Sequence, residues 1–164
     1  MQDKSYNVLV LCTGNSARSI LAEVLFNALG KGRFKACSAG SKPAGWVNPF
    51  ALEWLQWQGY GIEGLRSKSW DEFAAAPQFD FIFTVCDNAA GETCPIWPGK
   101  PATAHWGIPD PAAAGGDDEA RRAAFKKAAE QLARRIQLFM SLPIEKLDRL
   151  TLKQKLAEIG QIKD

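Results

Sequence analysis

The sequence has no long apolar run and very little histidine. None of its hydrophobic stretches approaches the roughly 18 residues of a membrane span, so a transmembrane protein is excluded. Its only histidine is His105, and its four cysteines form no Cys-x2-Cys pair, so we expect no metal site. Residues 1–5 are polar and lead into an apolar stretch without a signal region, which predicts a cytoplasmic protein.

The chain also has little excess charge. Its formal net charge is +2, and basic residues are spread among acidic ones. We therefore expect no nucleic acid or membrane partner, and a small anion as the substrate instead. No repeat, low-complexity segment or linker divides the 164 residues, a length that can bury one full core. We predict one catalytic domain over 1–164, with a short helical extension at about 144–164.

Strand and helix patterns alternate along the chain. Aromatic and β-branched runs predict strands over residues 8–11, 34–39, 79–85 and 102–106. Apolar spacing and caps predict helices over 17–29, from Pro49 to Gly59, from Asp117 to before Pro143 and over 151–159, with a short helix at the capping box of 69–72. This alternation predicts an α/β fold, a doubly wound four-stranded parallel sheet with helices on both faces.

The most informative stretch is VLVLCTGNSARS at residues 8–19, where an apolar strand ends in a small polar turn and a helix follows. Successive backbone N–H groups in such a turn, and at the start of a helix, converge on one point and bind an anion. The predicted oxyanion-binding residues are Thr13, Gly14, Asn15, Ser16, Ala17, Arg18 and Ser19.

Cys12 lies at the mouth of this positive field. A thiolate is favoured there, so its pKa should fall below the free value of about 8.5, and we interpret Cys12 as a nucleophile. Arg18 offers a planar pair of donors that suits a tetrahedral oxyanion, and Ser19 can donate a hydrogen bond to the thiolate. The alternative is an ordinary buried cysteine, but the order of strand, cysteine, glycine, arginine and helix favours the nucleophile.

Two other residues follow predicted strands at the same end as Cys12. Ligands of doubly wound sheets bind beyond the carboxyl ends of the strands. Because Cys86 and Asp110 also come directly after such ends, we expect all three residues at one edge of the sheet. Cys37 has no positive turn of its own and is predicted to be a core residue, and His105 a structural residue of its strand.

The pattern Cys-x5-Arg-Ser, here Cys12 to Ser19, resembles the phosphate loop of the low-molecular-weight protein tyrosine phosphatases and of the arsenate reductases built on that fold. The resemblance extends from Val8 through the long helix. It implies the same fold, and it implies that Asp110, followed by Pro111, is the general acid that protonates the departing oxygen. Taken alone, an Asp-Pro pair is common in turns. In the phosphatases aromatic residues follow this motif, whereas residues 112–114 here are alanines.

Two further cysteines indicate the reductase branch. Cys86 and Cys94 resemble the second and third redox cysteines of those arsenate reductases. The alternative is a buried thiol at the end of a strand for Cys86 and a free surface thiol for Cys94. The resemblance implies that Cys12 attacks arsenate, that Cys86 attacks the sulfur of Cys12 as arsenite leaves, and that Cys94 then takes over the disulfide. Thioredoxin, or a glutathione and glutaredoxin system, would reset it. Phosphate and sulfate would mimic arsenate.

We expect a monomer without a bound cofactor. In some relatives potassium binds at positions that correspond to Asn15, Glu23 and Ser38, although Glu23 is as typical of a helix-surface carboxylate. Two other functions remain open. One is a phosphatase for phosphotyrosine or a small phosphoester that uses Cys12, with Arg18 and Asp110. In that case Cys86 only protects the nucleophile from overoxidation. The other is a noncatalytic module that senses an oxyanion or arsenite through its thiols.

Overall fold

The computed structural model describes residues 5–73, 78–85 and 101–162. In these ranges the elements are β1 (Tyr6–Leu11), α1 (Arg18–Gly30), β2 (Phe34–Ala39), α2 (Pro49–Trp57), β3 (Phe81–Thr84), β4 (Ala102–His105), α3 (Asp118–Met140) and α4 (Arg149–Gly160). The four strands form a parallel sheet in the order β2-β1-β3-β4. The predicted four-stranded parallel α/β sheet is therefore confirmed.

Local sequence signals set most of the boundaries. Strand β2 has the predicted limits, and α2 begins as predicted because the side chain of Asn48 accepts a hydrogen bond from the N–H of Phe50. The last helix begins two residues earlier than predicted, since Asp148 caps it by accepting from the N–H of Thr151. The short helix predicted at the capping box is a single 3-10 turn, Trp70–Phe73.

Strand β1, inside the sheet, is packed on both faces. Val8 and Val10 of β1 pack in the larger core with α1 and α3, and Leu9 and Leu11 pack in a smaller core on the opposite face. Successive strand residues point to opposite faces, which explains the unbroken apolar run of β1. In the part of the chain that the structure describes, residues 70–73 help to cover the smaller core.

The predicted C-terminal extension includes a 3-10 turn, Ile144–Lys146, followed by α4. The hydroxyl of Tyr6 donates to Glu145 Oε1 at 2.8 Å, which ties this segment to β1. At the far end of α4, Gly160 approaches strand β4 so closely that a Cβ atom would lie 2.3 Å from the carbonyl oxygen of His105. His105 itself shares a hydrogen bond of 2.7 Å with Thr84 of the neighbouring strand. Among the described helices, none is both long and apolar enough to cross a membrane.

Candidate active site

The turn between β1 and α1 forms a cavity of about 180 Å³. The cavity lies where β1 ends and the chain turns into α1. Six of the seven predicted oxyanion-binding residues line it, and the seventh, Ser19, is fully buried at the start of α1. The lining residues are Cys12, Thr13, Gly14, Asn15, Ser16, Ala17, Arg18, Asp110 and Ala112.

The loop before α2 holds the carbonyl oxygens of this turn. The N–H of Lys42 donates to the carbonyl of Thr13 at 3.0 Å, and the N–H of Ala44 donates to that of Gly14 at 2.9 Å. The N–H of Asn48 donates to the carbonyl of Ser16 at 2.8 Å. A trans peptide is planar, so each held carbonyl directs the N–H of the next residue the opposite way. Three N–H groups of the turn therefore point away from the surrounding loop, an arrangement that suits an oxyanion.

Asn15 supports the turn from inside. It is fully buried and has a φ of 46°, a left-handed conformation that costs a non-glycine residue about 1–2 kcal/mol. Its Nδ2 donates to Ser19 Oγ at 2.8 Å, and its Oδ1 accepts from the N–H of Lys68 at 2.9 Å. These two buried bonds hold the conformation that the turn needs.

Gly40 is a second support, which the sequence identified only as the end of a strand. A Cβ atom at this position would lie 2.3 Å from the carbonyl oxygen of Thr13 and 2.6 Å from that of Cys12. Both distances are far below van der Waals contact, so only glycine lets the chain pass here. A single sequence carries no signal for such a close approach between distant segments.

Cys12 directly follows β1 and is 6% exposed. Its N–H donates to the carbonyl of Ala39 at 3.2 Å, which extends the pairing of β1 with β2 up to the cavity. Cys37 differs from it in position and chemistry. It is half-buried in β2, and burial, followed by the nearby carboxylate of Glu23, raises the pKa of its thiol. These observations favour a neutral packing residue at Cys37.

Arg18 and Asp110 lie close together in the lining of the cavity. Arg18 Nη1 donates to the carbonyl of Ile108 at 3.0 Å, and its Nη2 lies 3.6 Å from Asp110 Oδ2. The other oxygen of Asp110 accepts from the N–H of Ala112 at 3.0 Å and caps the 3-10 turn Pro111–Ala113. The structure thus brings the predicted nucleophile, oxyanion ligand and acid to one cavity.

The other two predicted redox residues, Cys86 and Cys94, lie outside the described residues. The last described residue before them is Val85, whose N–H donates to the carbonyl of Leu11 at 3.0 Å. Val85 therefore lies beside Leu11, the residue immediately before Cys12.

The three residues compared with a potassium site have protein partners in this structure. Ser38 Oγ donates to Glu23 Oε1 at 2.7 Å, and the ammonium of Lys68 lies 3.6 Å from the same oxygen. Lys68 is 8% exposed and was not singled out from the sequence. Within residues 5–73, 78–85 and 101–162 there is no group of three His, Cys, Asp or Glu side chains that would hold a metal ion.

The family model described as low molecular weight phosphotyrosine protein phosphatase matches residues 7–153. The chain belongs to this family. Membership of this family accounts for the parallel sheet and for the turn after β1. The resemblance of residues 12–19 to the family's phosphate loop is confirmed. An arsenate reductase of Halalkalibacterium halodurans is 34% identical to this chain, over 80% of this chain and 93% of that protein.

Two solved structures show the same fold in this family. The arsenate reductase of Archaeoglobus fulgidus is 32% identical, with a TM-score of 0.60, over 79% of this chain and 98% of that one. A thioredoxin-dependent arsenate reductase of Corynebacterium glutamicum is 25% identical, with a TM-score of 0.59, over 84% of this chain and 61% of that one.

Proposed function

We propose that this chain is an arsenate reductase that converts arsenate to arsenite. The observation that carries this proposal is the 34% identity with an arsenate reductase across 93% of that protein's length. The geometry supports it, because Cys12, Arg18 and Asp110 share a cavity whose N–H groups suit a tetrahedral oxyanion. Ala112 lines the cavity beside Asp110, whereas the resemblance to the phosphatases would imply aromatic residues after this aspartate.

The first step is attack of the Cys12 thiolate on arsenic. The N–H groups of the turn and the guanidinium of Arg18 hold the arsenate oxygens, while Ser19 donates to the thiolate. A sulfur–arsenic bond forms as an arsenic–oxygen bond breaks, and Asp110 gives its proton to the leaving oxygen, which departs as water. The hydroxyl of Ser19 already accepts from Asn15, so its own hydrogen remains available for the thiolate.

The second step transfers two electrons. The thiolate of Cys86 attacks the sulfur of Cys12, a disulfide forms, and the sulfur–arsenic bond breaks with its electron pair left on arsenic. Arsenic(V) becomes arsenic(III) and leaves as arsenite, while two thiols become one disulfide. The hydrogen bond between Val85 and Leu11 supports this step, because each of these residues immediately precedes one of the two cysteines.

The third step restores the nucleophile. Cys94 attacks Cys86, which frees Cys12 and leaves a Cys86–Cys94 disulfide for an external thiol to reduce. We propose thioredoxin as the reductant, in line with the thioredoxin-dependent relative, and a glutathione and glutaredoxin system as the alternative. The proposal also includes a monomeric cytoplasmic enzyme and competition by phosphate and sulfate. It includes no potassium ion, because the ammonium of Lys68 already lies against Glu23.

The test is arsenate-dependent consumption of NADPH in the presence of thioredoxin and its reductase. Cys86→Ser and Cys94→Ser should both lose turnover, whereas hydrolysis of an aryl phosphate should survive in both. Cys37→Ser is the matched control and should keep wild-type turnover. Unchanged arsenate turnover in either of the first two variants would remove that cysteine from the mechanism.

A phosphatase is the second candidate function, and one observation favours it. A groove of about 270 Å³ adjoins the cavity and shares Ala112 with it. Trp46, Phe50 and Phe125 line this groove, which suits an aromatic ring. Hydrolysis of aryl phosphates without arsenate reduction, under both thioredoxin and glutathione–glutaredoxin conditions, would favour this function over the reductase.

A further inference from the structure

A buried arginine lies behind the segment that carries Asp110. Arg135 of α3 is 5% exposed, and its Nη1 donates to the carbonyls of Trp106 at 3.2 Å and Gly107 at 3.1 Å. Its Nη2 donates to the carbonyl of Ile162 at 3.1 Å, beyond the end of α4. A buried guanidinium is costly unless it is hydrogen-bonded, so these contacts fix the relative positions of three backbone segments.

Residues 106–110, the acid segment, connect β4 to the proposed general acid. Arg135 holds its first two carbonyls, and Arg18 holds the next one, that of Ile108, at 3.0 Å. The N–H of Ile108 also donates to the carbonyl of Val85 at 3.2 Å. Two arginines, one from α1 and one from α3, therefore hold three consecutive backbone carbonyls just before Asp110. These contacts restrict the backbone position of Asp110.

The C-terminal helix closes the other side of this arrangement. Trp106 is 1% exposed, stacks on Phe83 with ring centroids 3.9 Å apart, and donates from its indole Nε1 to the carbonyl of Leu156 at 2.9 Å. Leu156 and Ile162 both lie beyond residue 153, where the match to the family model ends. The contacts that hold the start of the acid segment thus include residues outside that match.

We propose that Arg135 is a positioning residue for Asp110. The C-terminal residues 156–162 complete the set of backbone contacts that hold Arg135 and Trp106 in place. Arg135 acts through the backbone of the acid segment and does not touch the reacting atoms. The proposal rests on the proposed function only in giving Asp110 the role of proton donor. A purely structural arginine would affect all reactions of the site alike, whereas a positioning residue affects the step that needs the proton.

The first test compares two aryl phosphates. Hydrolysis of phenyl phosphate needs a proton on its poor leaving group, whereas 2,4-dinitrophenyl phosphate needs almost none. Because general acid catalysis is worth about 10²–10⁴-fold, Arg135→Met should lower kcat/KM, which reports the step in which the aryl group leaves, by at least about tenfold for phenyl phosphate and by less than about threefold for the dinitrophenyl ester. Arg135→Lys should restore part of the loss. Arg134→Met, at the exposed neighbouring position, is the matched control and should match wild type.

The second test does not require activity. Hydrogen exchange of peptides that span residues 106–113 should be faster in Arg135→Lys and in Trp106→Phe, which removes the indole donor. Exchange over residues 12–19 should keep its wild-type rate, and sulfate should bind no more weakly than to wild type. Equal losses for both esters, or a parallel loss of sulfate binding, would overturn the proposal. Hydrogen exchange over residues 106–113 at the wild-type rate in both variants would also overturn the proposal. This result can be read even if the protein hydrolyses neither ester. Failure of arsenate reduction alone would count against the proposed function and not against this role.

Discussion

The guanidinium of Arg18 lies 3.6 Å from the carboxylate of Asp110, and both groups line the same cavity. In the proposed mechanism an arriving oxyanion binds that guanidinium, so it competes with the carboxylate for the same donors. Binding therefore weakens the hold of Arg18 on the acid at the moment when the acid is needed. This contact links oxyanion binding to proton donation in the proposed mechanism.

Replacing the acid should separate these two effects. In Asp110→Asn we expect first-turnover formation of the Cys12–Cys86 disulfide with arsenate to fall about 10²–10⁴-fold, because the proton donor is lost. The affinity for sulfate should rise, because no carboxylate competes for Arg18. Rapid-quench thiol counting measures the first effect and titration calorimetry the second.

Asp117→Asn is the matched control for this change. Asp117 caps α3 by accepting from the N–H of Ala120 at 2.9 Å and does not line the cavity. Its variant should keep the wild-type rate and sulfate affinity. Weaker sulfate binding in Asp110→Asn would contradict the competition between carboxylate and oxyanion.

The close approach at Gly40 predicts a sharp difference between two glycine variants. Gly40→Ala places a Cβ atom 2.3 Å from the carbonyl oxygen of Thr13, so the turn must shift. We expect a loss of about 1–3 kcal/mol in the free energy of unfolding and at least about tenfold weaker sulfate binding. Gly61→Ala, where a Cβ atom meets nothing within 4 Å, should change neither quantity by a comparable amount. Wild-type sulfate affinity in Gly40→Ala would refute this account.

Two substitutions of Asn15 should distinguish its backbone role from its side-chain role. Asn15→Ala keeps the left-handed strain and leaves the N–H of Lys68 without its acceptor, which costs about 1–3 kcal/mol. Asn15→Gly loses the same bonds but relieves the strain, so it should be about 1 kcal/mol more stable than Asn15→Ala. Urea unfolding monitored by circular dichroism measures both. Equal stability of the two variants would mean that the φ of 46° stores no strain.

The environment of Tyr6 should make the free energy of unfolding depend on pH in the alkaline range. Burial, reinforced by the hydrogen bond to Glu145, raises the pKa of Tyr6 from 10.0 to about 12. The folded state thus favours the neutral hydroxyl, so this stabilisation is complete below pH 10 and is lost as the pH rises toward 12.

The measurement is the free energy of unfolding in urea between pH 8 and about pH 12. Tyr6→Phe should be less stable than wild type by about 1 kcal/mol below pH 10, and the difference should shrink above it. Tyr60→Phe, whose ring packs near Trp54, serves as the control. A difference between Tyr6→Phe and wild type that is constant across this pH range would show that the hydroxyl of Tyr6 does not titrate with folding.

Much of the fold and of the site could be predicted from the sequence, because the signals concerned are local. An apolar run that breaks at Cys12 into a small polar turn predicts strand, anion loop and helix from neighbouring residues alone. Asn48 followed by Pro49 likewise predicts the start of α2 from neighbouring residues alone. The parallel order of the strands then brings Asp110 to the cavity, because carboxyl ends of parallel strands meet at one edge.

The sequence by itself determined the chemical character of the cavity, since a cysteine, an arginine and a run of small residues lie within eight positions of one another. Only the tertiary structure decided what supports that cavity. Gly40, Lys68 and Arg135 act through contacts with segments far away in the chain, and neither periodicity nor a short motif records such contacts. The helical spacing of Arg135 with Leu132 and Phe139 indicates only that Arg135 lies on the buried face of α3, unlike its exposed neighbour Arg134. The carbonyls that it contacts come from distant segments, so only the tertiary structure identifies them.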